Sequence, residues 1–199
     1  MAYGDFTLDS VLGKFNLRLK EHPDLFAEVK PLPPSDWLAT FLKGSVPLAR
    51  AVNTEKGRSE WIIAPVLADV RLRYSDRCSL FSGIEFNVDP AQGLRGFCDF
   101  ILSRSPIQHL LTAPAVMIAE SKNADLTSGY GQCIAGMIAA RIFNQRSENP
   151  PPITYGAVST GELWGFLELS DDAVTLDMNV YTIDNVEKIL GILVKVVLG

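Results

Sequence analysis

The segment "PAVMIAESK", residues 114–122, is apolar until it reaches Glu120 and Lys122. An unbroken apolar run is typical of a central strand that is covered on both faces. Alternate residues of a strand share a face. The segment therefore predicts that Glu120 and Lys122 point the same way at the end of a buried strand. The backbone carbonyl of Ser121 lies between them in sequence and can reach the side of the strand that carries Glu120.

A second predicted strand, "LRGFCDFILS" (residues 94–103), carries Asp99 among apolar residues. Burying a carboxylate without a partner costs free energy. If this strand and the segment 114–122 are antiparallel neighbours, Asp99 can lie beside Glu120. A third strand, "SLFSGIEFNV" (residues 79–88), precedes them and is joined to 94–103 by a turn at "DPAQG".

The elements on either side complete an α/β pattern. Helical periodicity covers residues 55–74 and 128–147, and alternating residues predict a hairpin over 153–169 that turns at Thr160-Gly161. A strand over 173–183 and a closing helix complete the chain. Helix, three strands, helix and strand in this order predict a mixed central sheet flanked by helices.

The length of 199 residues suits a single domain. We expect a helical N-terminal extension over residues 1–52, with a helix that ends near Gly44. The core covers residues 53–183, and a C-terminal helix covers residues 184–199.

Two adjacent carboxylates repel each other unless a cation lies between them. Mg²⁺ prefers oxygen ligands and takes one or two carboxylates together with waters and phosphate oxygens. A nearby lysine can orient a water or neutralise charge that develops on a phosphate. Asp99, Glu120, the Ser121 carbonyl and Lys122 therefore predict a site for phosphodiester hydrolysis that uses Mg²⁺ or Mn²⁺.

The upstream helix carries one more acid. In "EKGRSEWIIAPVLADVRLRY", residues 55–74, Glu60 heads a stripe formed by Ile63, Leu67 and Val70. Pro65 predicts a kink or a first turn within this helix.

The pair "GFCDF" and "IAESK" resembles the D…E-x-K signature of the PD-(D/E)XK nuclease superfamily, which has the restriction-endonuclease-like fold. The resemblance covers roughly residues 55–170 and includes the order of the elements, an αβββαβ core. It implies that Asp99 and Glu120 are metal ligands, that Lys122 is the catalytic lysine and that Glu60 is an auxiliary acid. Gln132 looks like the helix glutamine of the RecB-like branch.

The sequence differs from the family pattern at two positions. The RecB-like branch usually has Q-x-x-x-Y, whereas residue 136 is Gly in this chain. Cys98 stands where the signature has proline. The resemblance implies a nucleic acid substrate, with DNA favoured over RNA. It also allows a homodimer, because many enzymes of this fold dimerise to cut both strands.

Structural roles are open for the same residues. Asp99 can form an ion pair with Arg95 or Arg104, and Glu120 and Lys122 can be solvated at a strand end. Glu60 can simply begin a helix, and Gln132 can bind a loop. The positions of four arginines distinguish these alternatives: Arg95, Arg104, Arg141 and Arg146. If they converge on the acids, they can bind the phosphates of a nucleic acid. If they do not, ordinary ion pairs within the protein are favoured.

Composition narrows the function classes. The formal net charge of −5 gives no general attraction for nucleic acids. Three widely spaced cysteines and two histidines disfavour a disulfide framework, a zinc site and histidine catalysis. No apolar run approaches a membrane span of about 20 residues. We expect no membrane partner and a cytoplasmic setting. Two other functions stay open: a non-catalytic binding or structural module of the same fold, and a hydrolase for a small phosphorylated compound.

Overall fold

A computed structural model of the chain describes residues 1–123 and 125–199. Within those residues it is an α/β fold with one mixed sheet of eight strands, flanked by helices. The helices are α1 (Leu8–Phe15), α2 (Asp36–Val52), α3 (Glu55–Arg58), α4 (Ala64–Arg73), α5 (Thr127–Asn144) and α6 (Val186–Leu198). The strands are β1 (Arg18–His22), β2 (Ser79–Glu85), β3 (Phe97–Ser103), β4 (Ala115–Ser121), β5 (Ile153–Ser159), β6 (Leu163–Ser170), β7 (Ala173–Asp177) and β8 (Tyr181–Thr182).

The strands lie in the order β1-β7-β6-β5-β4-β3-β2, and β8 pairs with β6. The predicted neighbours β3 and β4 are antiparallel, with Phe100 opposite Ala119 and Leu102 opposite Met117. β4 and β5 are parallel, and α5 forms the crossover between them. Antiparallel strands can follow each other through short loops, whereas a parallel pair needs such a crossover.

Helices cover both faces of the sheet. One core layer contains residues of α2, α4 and α6, such as Leu38, Val66 and Leu190. The other contains residues of α1 and α5, such as Val11 and Ile134. Every residue of β4 is buried, as predicted for a central strand covered on both sides.

The prediction of a helical extension over residues 1–52 is wrong in part. β1 belongs to this extension and pairs in parallel with β7 at the sheet edge. All five residues of β1 are exposed, so its sequence lacks the alternation that marks a half-buried strand. The closing hairpin turns at Thr160-Gly161 as predicted, whereas the predicted strand 173–183 is divided into β7 and β8.

α2 does not end near Gly44 but continues through Pro47 to Val52. Its inner face buries Leu38, Leu42 and Ala49. This packing outweighs the helix-breaking tendency of one glycine, which costs about 1 kcal/mol. No helix in the described part of the chain is both long enough and apolar enough to cross a membrane.

Candidate functional site

Asp99 and Glu120 come together where the β3–β4 ladder ends. The paired residues nearest that end are Phe100 and Ala119, so Asp99 and Glu120 stand one step further out. The backbone N–H of Ser121 donates to Asp99 Oδ2 at 2.8 Å. A carboxylate thus takes the place of a backbone acceptor at this point, and this contact fixes Asp99 against the end of β4.

Glu120 is a buried acid with an incomplete set of partners. It is only 1% exposed. Its Oε2 accepts a hydrogen bond from Gln132 Nε2 at 2.5 Å. Its Oε1 has no hydrogen-bond partner among the described residues. Burial raises the pKa of Glu120 well above its ordinary value, the adjacent Asp99 carboxylate raises it further, and Lys122 opposes the shift.

The two acids cannot both be ionised in this contact without a strong repulsion. A carboxylate can only accept hydrogen bonds, so Asp99 and Glu120 can bond to each other only when they share a proton. A bound cation can replace that proton and remove the repulsion. The pair can therefore hold one shared proton, and a cation could take the place of that proton.

Lys122 reaches the same centre through Gln132. Lys122 Nζ donates to Gln132 Oε1 at 2.9 Å, while the Nε2 of the same amide donates to Glu120. Glu120 and Lys122 therefore point the same way, as the sequence predicts. No direct ion pair between them exists within the described residues. The helix glutamine separates the two charges and orients both.

Glycines on α5 make this arrangement sterically feasible. A Cβ atom at Gly129 would lie 2.5 Å from Val158 Cγ1 and 3.0 Å from Lys122 Cγ. A Cβ atom at Gly136 would lie 2.9 Å from Ile118 Cγ2. The glycine at position 136, where the RecB-like pattern has tyrosine, thus lets α5 lie close to β4 and leaves no space for a large side chain.

A π-helical turn, Ser59–Ile63, joins α3 to α4 and carries Glu60. The Ala64 N–H bonds to the Ser59 carbonyl, five residues back. Pro65 has no N–H, and in a regular helix its ring clashes with the carbonyl four residues earlier. The wider turn relieves that clash, which accounts for the irregularity that Pro65 predicts.

Glu60 faces the acid pair across an open cleft. The cleft has a volume of about 400 Å³ and is lined by seven residues: Glu55, Lys56, Ser59, Glu60, Ser82, Asp99 and Ser121. The Glu60 carboxylate accepts a hydrogen bond from Lys56 Nζ at 2.6 Å and is largely exposed. Glu120 does not line the cleft because it lies behind Asp99.

Glu55 is a cleft residue that no sequence pattern indicates. It begins α3 on the wall of the cleft, and its charge contributes to the raised pKa of Glu120. An acid that follows a capping threonine looks like an ordinary first-turn residue. Nothing in its spacing relates it to Asp99, so only the folded chain reveals it.

The four arginines named above do not converge on the acids. Arg95 binds the Met1 carbonyl, Arg104 binds the Val196 carbonyl, Arg141 binds the Asp171 carbonyl, and Arg146 lies over the Phe143 ring. The alternative in which Asp99 forms a structural ion pair with Arg95 or Arg104 is therefore wrong.

Other cations stand near the centre. Lys56 lines the cleft, and Lys122 binds Gln132. The guanidinium of Arg58 donates to the Asn123 carbonyl and to Asn53 Oδ1.

A hard cation would find a small protein ligand set at this centre. No cluster of three or more His, Cys, Asp and Glu side chains suited to a metal occurs in the described part of the chain. Two carboxylates are nevertheless a typical protein contribution to a Mg²⁺ site, where waters supply the remaining ligands. The unsatisfied Glu120 Oε1 beside Asp99 fits that kind of ion.

No protein-family model, no curated protein and no solved structure matches this chain.

Proposed function

We propose that the chain is a nuclease of the PD-(D/E)XK type, which hydrolyses phosphodiester bonds of nucleic acid with Mg²⁺ or Mn²⁺. The observation that carries this proposal is the contact of Asp99 with the buried, incompletely bonded Glu120. The element order α4-β2-β3-β4-α5-β5 agrees with a restriction-endonuclease-like core. DNA as the preferred substrate and a cytoplasmic setting belong to the same proposal.

Each residue then has a defined task. Asp99 and Glu120 would hold the cation together with the Ser121 carbonyl. The bound ion would lower the pKa of a coordinated water and polarise a phosphoryl oxygen. Lys122 would place a positive charge beside the phosphate as its negative charge grows. Gln132 would keep Lys122 and Glu120 in position.

Glu60 and Glu55 would act from the opposite wall of the cleft. Neither touches the acid pair through a hydrogen bond in the described residues, and Glu60 is bonded to Lys56. We assign Glu60 an auxiliary role, in which it binds water at the edge of the centre.

A second function has a specific observation in its favour. The scattered positions of Arg95, Arg104, Arg141 and Arg146 leave few cations to bind a phosphate backbone, and the net charge is −5. These features suit a non-catalytic member of the same fold that acts as a binding or structural module.

A cleavage assay separates these functions. The purified chain is incubated with single- and double-stranded DNA and RNA in Mg²⁺ or Mn²⁺. Asp99→Asn serves as the inactive variant, and Glu148→Gln, at an exposed site after α5, serves as the matched control. The nuclease proposal predicts cleavage by the wild type and by the control but not by Asp99→Asn. Equal activity of all three preparations, or no activity in any of them, would contradict it.

A further inference from the structure

We infer that the cleft between α3 and the ends of β3 and β4 admits one unpaired nucleotide, so that the substrate is a single-stranded end rather than the interior of a duplex. This inference rests on the proposed nuclease function and names the substrate class of the same site.

The size of the cleft is the first reason. Its volume of about 400 Å³ lies in the range of small-molecule pockets, roughly 300–1,000 Å³. A whole double helix cannot enter a cleft of this size, because one of its grooves alone is about 12 Å wide. The Asp99 carboxylate reaches solvent through this cleft, so a phosphodiester has to enter it to meet the acid pair.

The second reason is that α3 is anchored above the cleft. Arg58 ties it to the Asn123 carbonyl beyond β4 and to Asn53 at the end of α2. Its other side packs on the β5–β6 turn, where a Cβ at Gly161 would lie 3.2 Å from Arg58 Cβ. α3 is therefore bonded to two parts of the fold, and a duplex could not displace this helix without breaking these contacts.

The rear of the centre is closed as well. Glu120 is covered by Gln132 of α5. The N-terminal segment packs directly on α5, since a Cβ at Gly131 would lie 2.3 Å from the Phe6 carbonyl oxygen. Tyr3 of this segment is buried, and its hydroxyl donates to the Phe86 carbonyl. Among the described residues, the open cleft at the acid pair is the one on the α3 side.

The chemistry of the walls suits a nucleotide more than a long phosphate backbone. Ser59 and Ser82 place two hydroxyls on the wall of the cleft. Hydroxyls can donate to and accept from a sugar or a base edge. The carboxylates of Glu55 and Glu60 at the rim would repel additional phosphates.

Few cations also imply few phosphate contacts. Among the described residues, Lys56 lines the cleft and Lys122 lies beside the acid pair. The guanidinium of Arg58, by contrast, already donates to Asn123 and Asn53. Each neutralised phosphate of a single strand contributes about 0.7 to the slope of log affinity against log salt concentration. Two contacts would give a slope of about −1.4, far shallower than for proteins that follow a duplex over many phosphates.

The test compares substrates in Mn²⁺: a linear single strand, a duplex with a single-stranded overhang, a blunt duplex, closed circles of single- and double-stranded DNA, and a free dinucleotide. We expect the linear single strand and the overhang to be cut at least about 10-fold faster than the blunt duplex and both circles. Equal or faster cutting of the blunt duplex or a circle would overturn the inference and leave the nuclease function intact. No cutting above the level of Asp99→Asn would overturn both. Hydrolysis confined to a free dinucleotide would overturn the inference in favour of a small-molecule substrate.

A blocking variant tests the route of entry. Ser82 is exposed on β2 at the cleft, where a tryptophan is compatible with a strand. Ser82→Trp should lower cleavage of the single strand at least about 10-fold, while Mn²⁺ still raises its melting temperature as in the wild type. Glu85→Trp, at an exposed position of the same strand outside the cleft lining, is the matched control and should keep the wild-type rate. Unchanged cleavage by folded Ser82→Trp would contradict entry through this cleft.

Discussion

Lys122 and Glu120 lie on the same side of the end of β4, and the side-chain amide of Gln132 stands between them. The amide accepts from Lys122 Nζ at 2.9 Å and donates to Glu120 Oε2 at 2.5 Å. The lysine is thus held near the acid without neutralising it in a direct ion pair. This geometry differs from that of a direct salt bridge, and the catalytic role proposed for Lys122 requires a cation that is held in this way.

Replacing Lys122 with methionine should therefore affect activity more than stability. The alkyl stem is retained and Glu120 keeps its bond to Gln132, so the melting temperature should change little. Cleavage should fall by roughly 10²-fold, as for the loss of one electrostatic group in a transition state. Both quantities are measured on the same preparation. A large drop in melting temperature, with activity that follows the folded fraction, would indicate a structural lysine instead.

The stability of the metal-free protein should depend on pH through Glu120. Its pKa is raised in the folded chain, first by burial and next by Asp99, above the value of about 4.3 that glutamate has in an unfolded chain. The folded state thus binds more protons between these two pKa values. The corresponding stability is fully present below about pH 4.3 and is lost as the pH rises through the folded pKa.

Urea unfolding in a chelating buffer, between about pH 5 and pH 8, measures this loss. Glu120→Gln keeps an uncharged oxygen acceptor for Gln132 and should flatten the pH dependence. Glu148→Gln should reproduce the wild-type curve. Parallel curves for wild type and Glu120→Gln would mean that Glu120 is not the group responsible.

Divalent cations should stabilise the folded chain and release protons. An ion that binds only the folded state raises stability by mass action, and at Asp99 and Glu120 it displaces the shared proton. Scanning calorimetry with millimolar Mn²⁺ measures the first effect. Titration calorimetry in two buffers of different ionisation enthalpy measures the second. Asp99→Asn should abolish both effects, and their persistence in that variant would locate the ion elsewhere.

The close approach of α5 to Lys122 predicts opposite effects for two glycine substitutions. Gly129→Ala introduces a Cβ 2.5 Å from Val158 Cγ1, so we expect a loss of about 1–3 kcal/mol in unfolding free energy. Gly44→Ala on α2 places its Cβ in open space and should gain up to about 1 kcal/mol. Urea unfolding of both variants tests the contrast. Equal effects would show that the packing at Gly129 is looser than described.

The strands that form the acid pair could be predicted because their sequences carry the pattern of their surroundings. Burial on both faces makes β4 apolar throughout, and Asp99 stands out within β3 because few carboxylates are placed among apolar residues. The antiparallel register then follows from the order of the strands. Gln132 is indicated only by the resemblance to the RecB-like branch, because no local pattern marks a glutamine on α5 as a partner of Glu120.

Other features depend on contacts between distant segments and leave no local pattern. β1 is held by backbone pairing to β7, so its exposed side chains show no alternation. Glu55 acquires its relation to Glu120 only because α3 folds over the strand ends. The positions of Arg95 and Arg104 likewise depend on the N-terminal segment and on α6, far away in sequence.

The proposed metal centre is tested most directly by an anomalous difference map from a crystal of the protein soaked in Mn²⁺. We expect one strong peak between the Asp99 carboxylate and Glu120 Oε1, with water filling the remaining positions around the ion. A fully occupied Mn²⁺ site elsewhere, with Asp99 and Glu120 still in direct contact through a shared proton, would contradict the claim that these two acids form a metal centre.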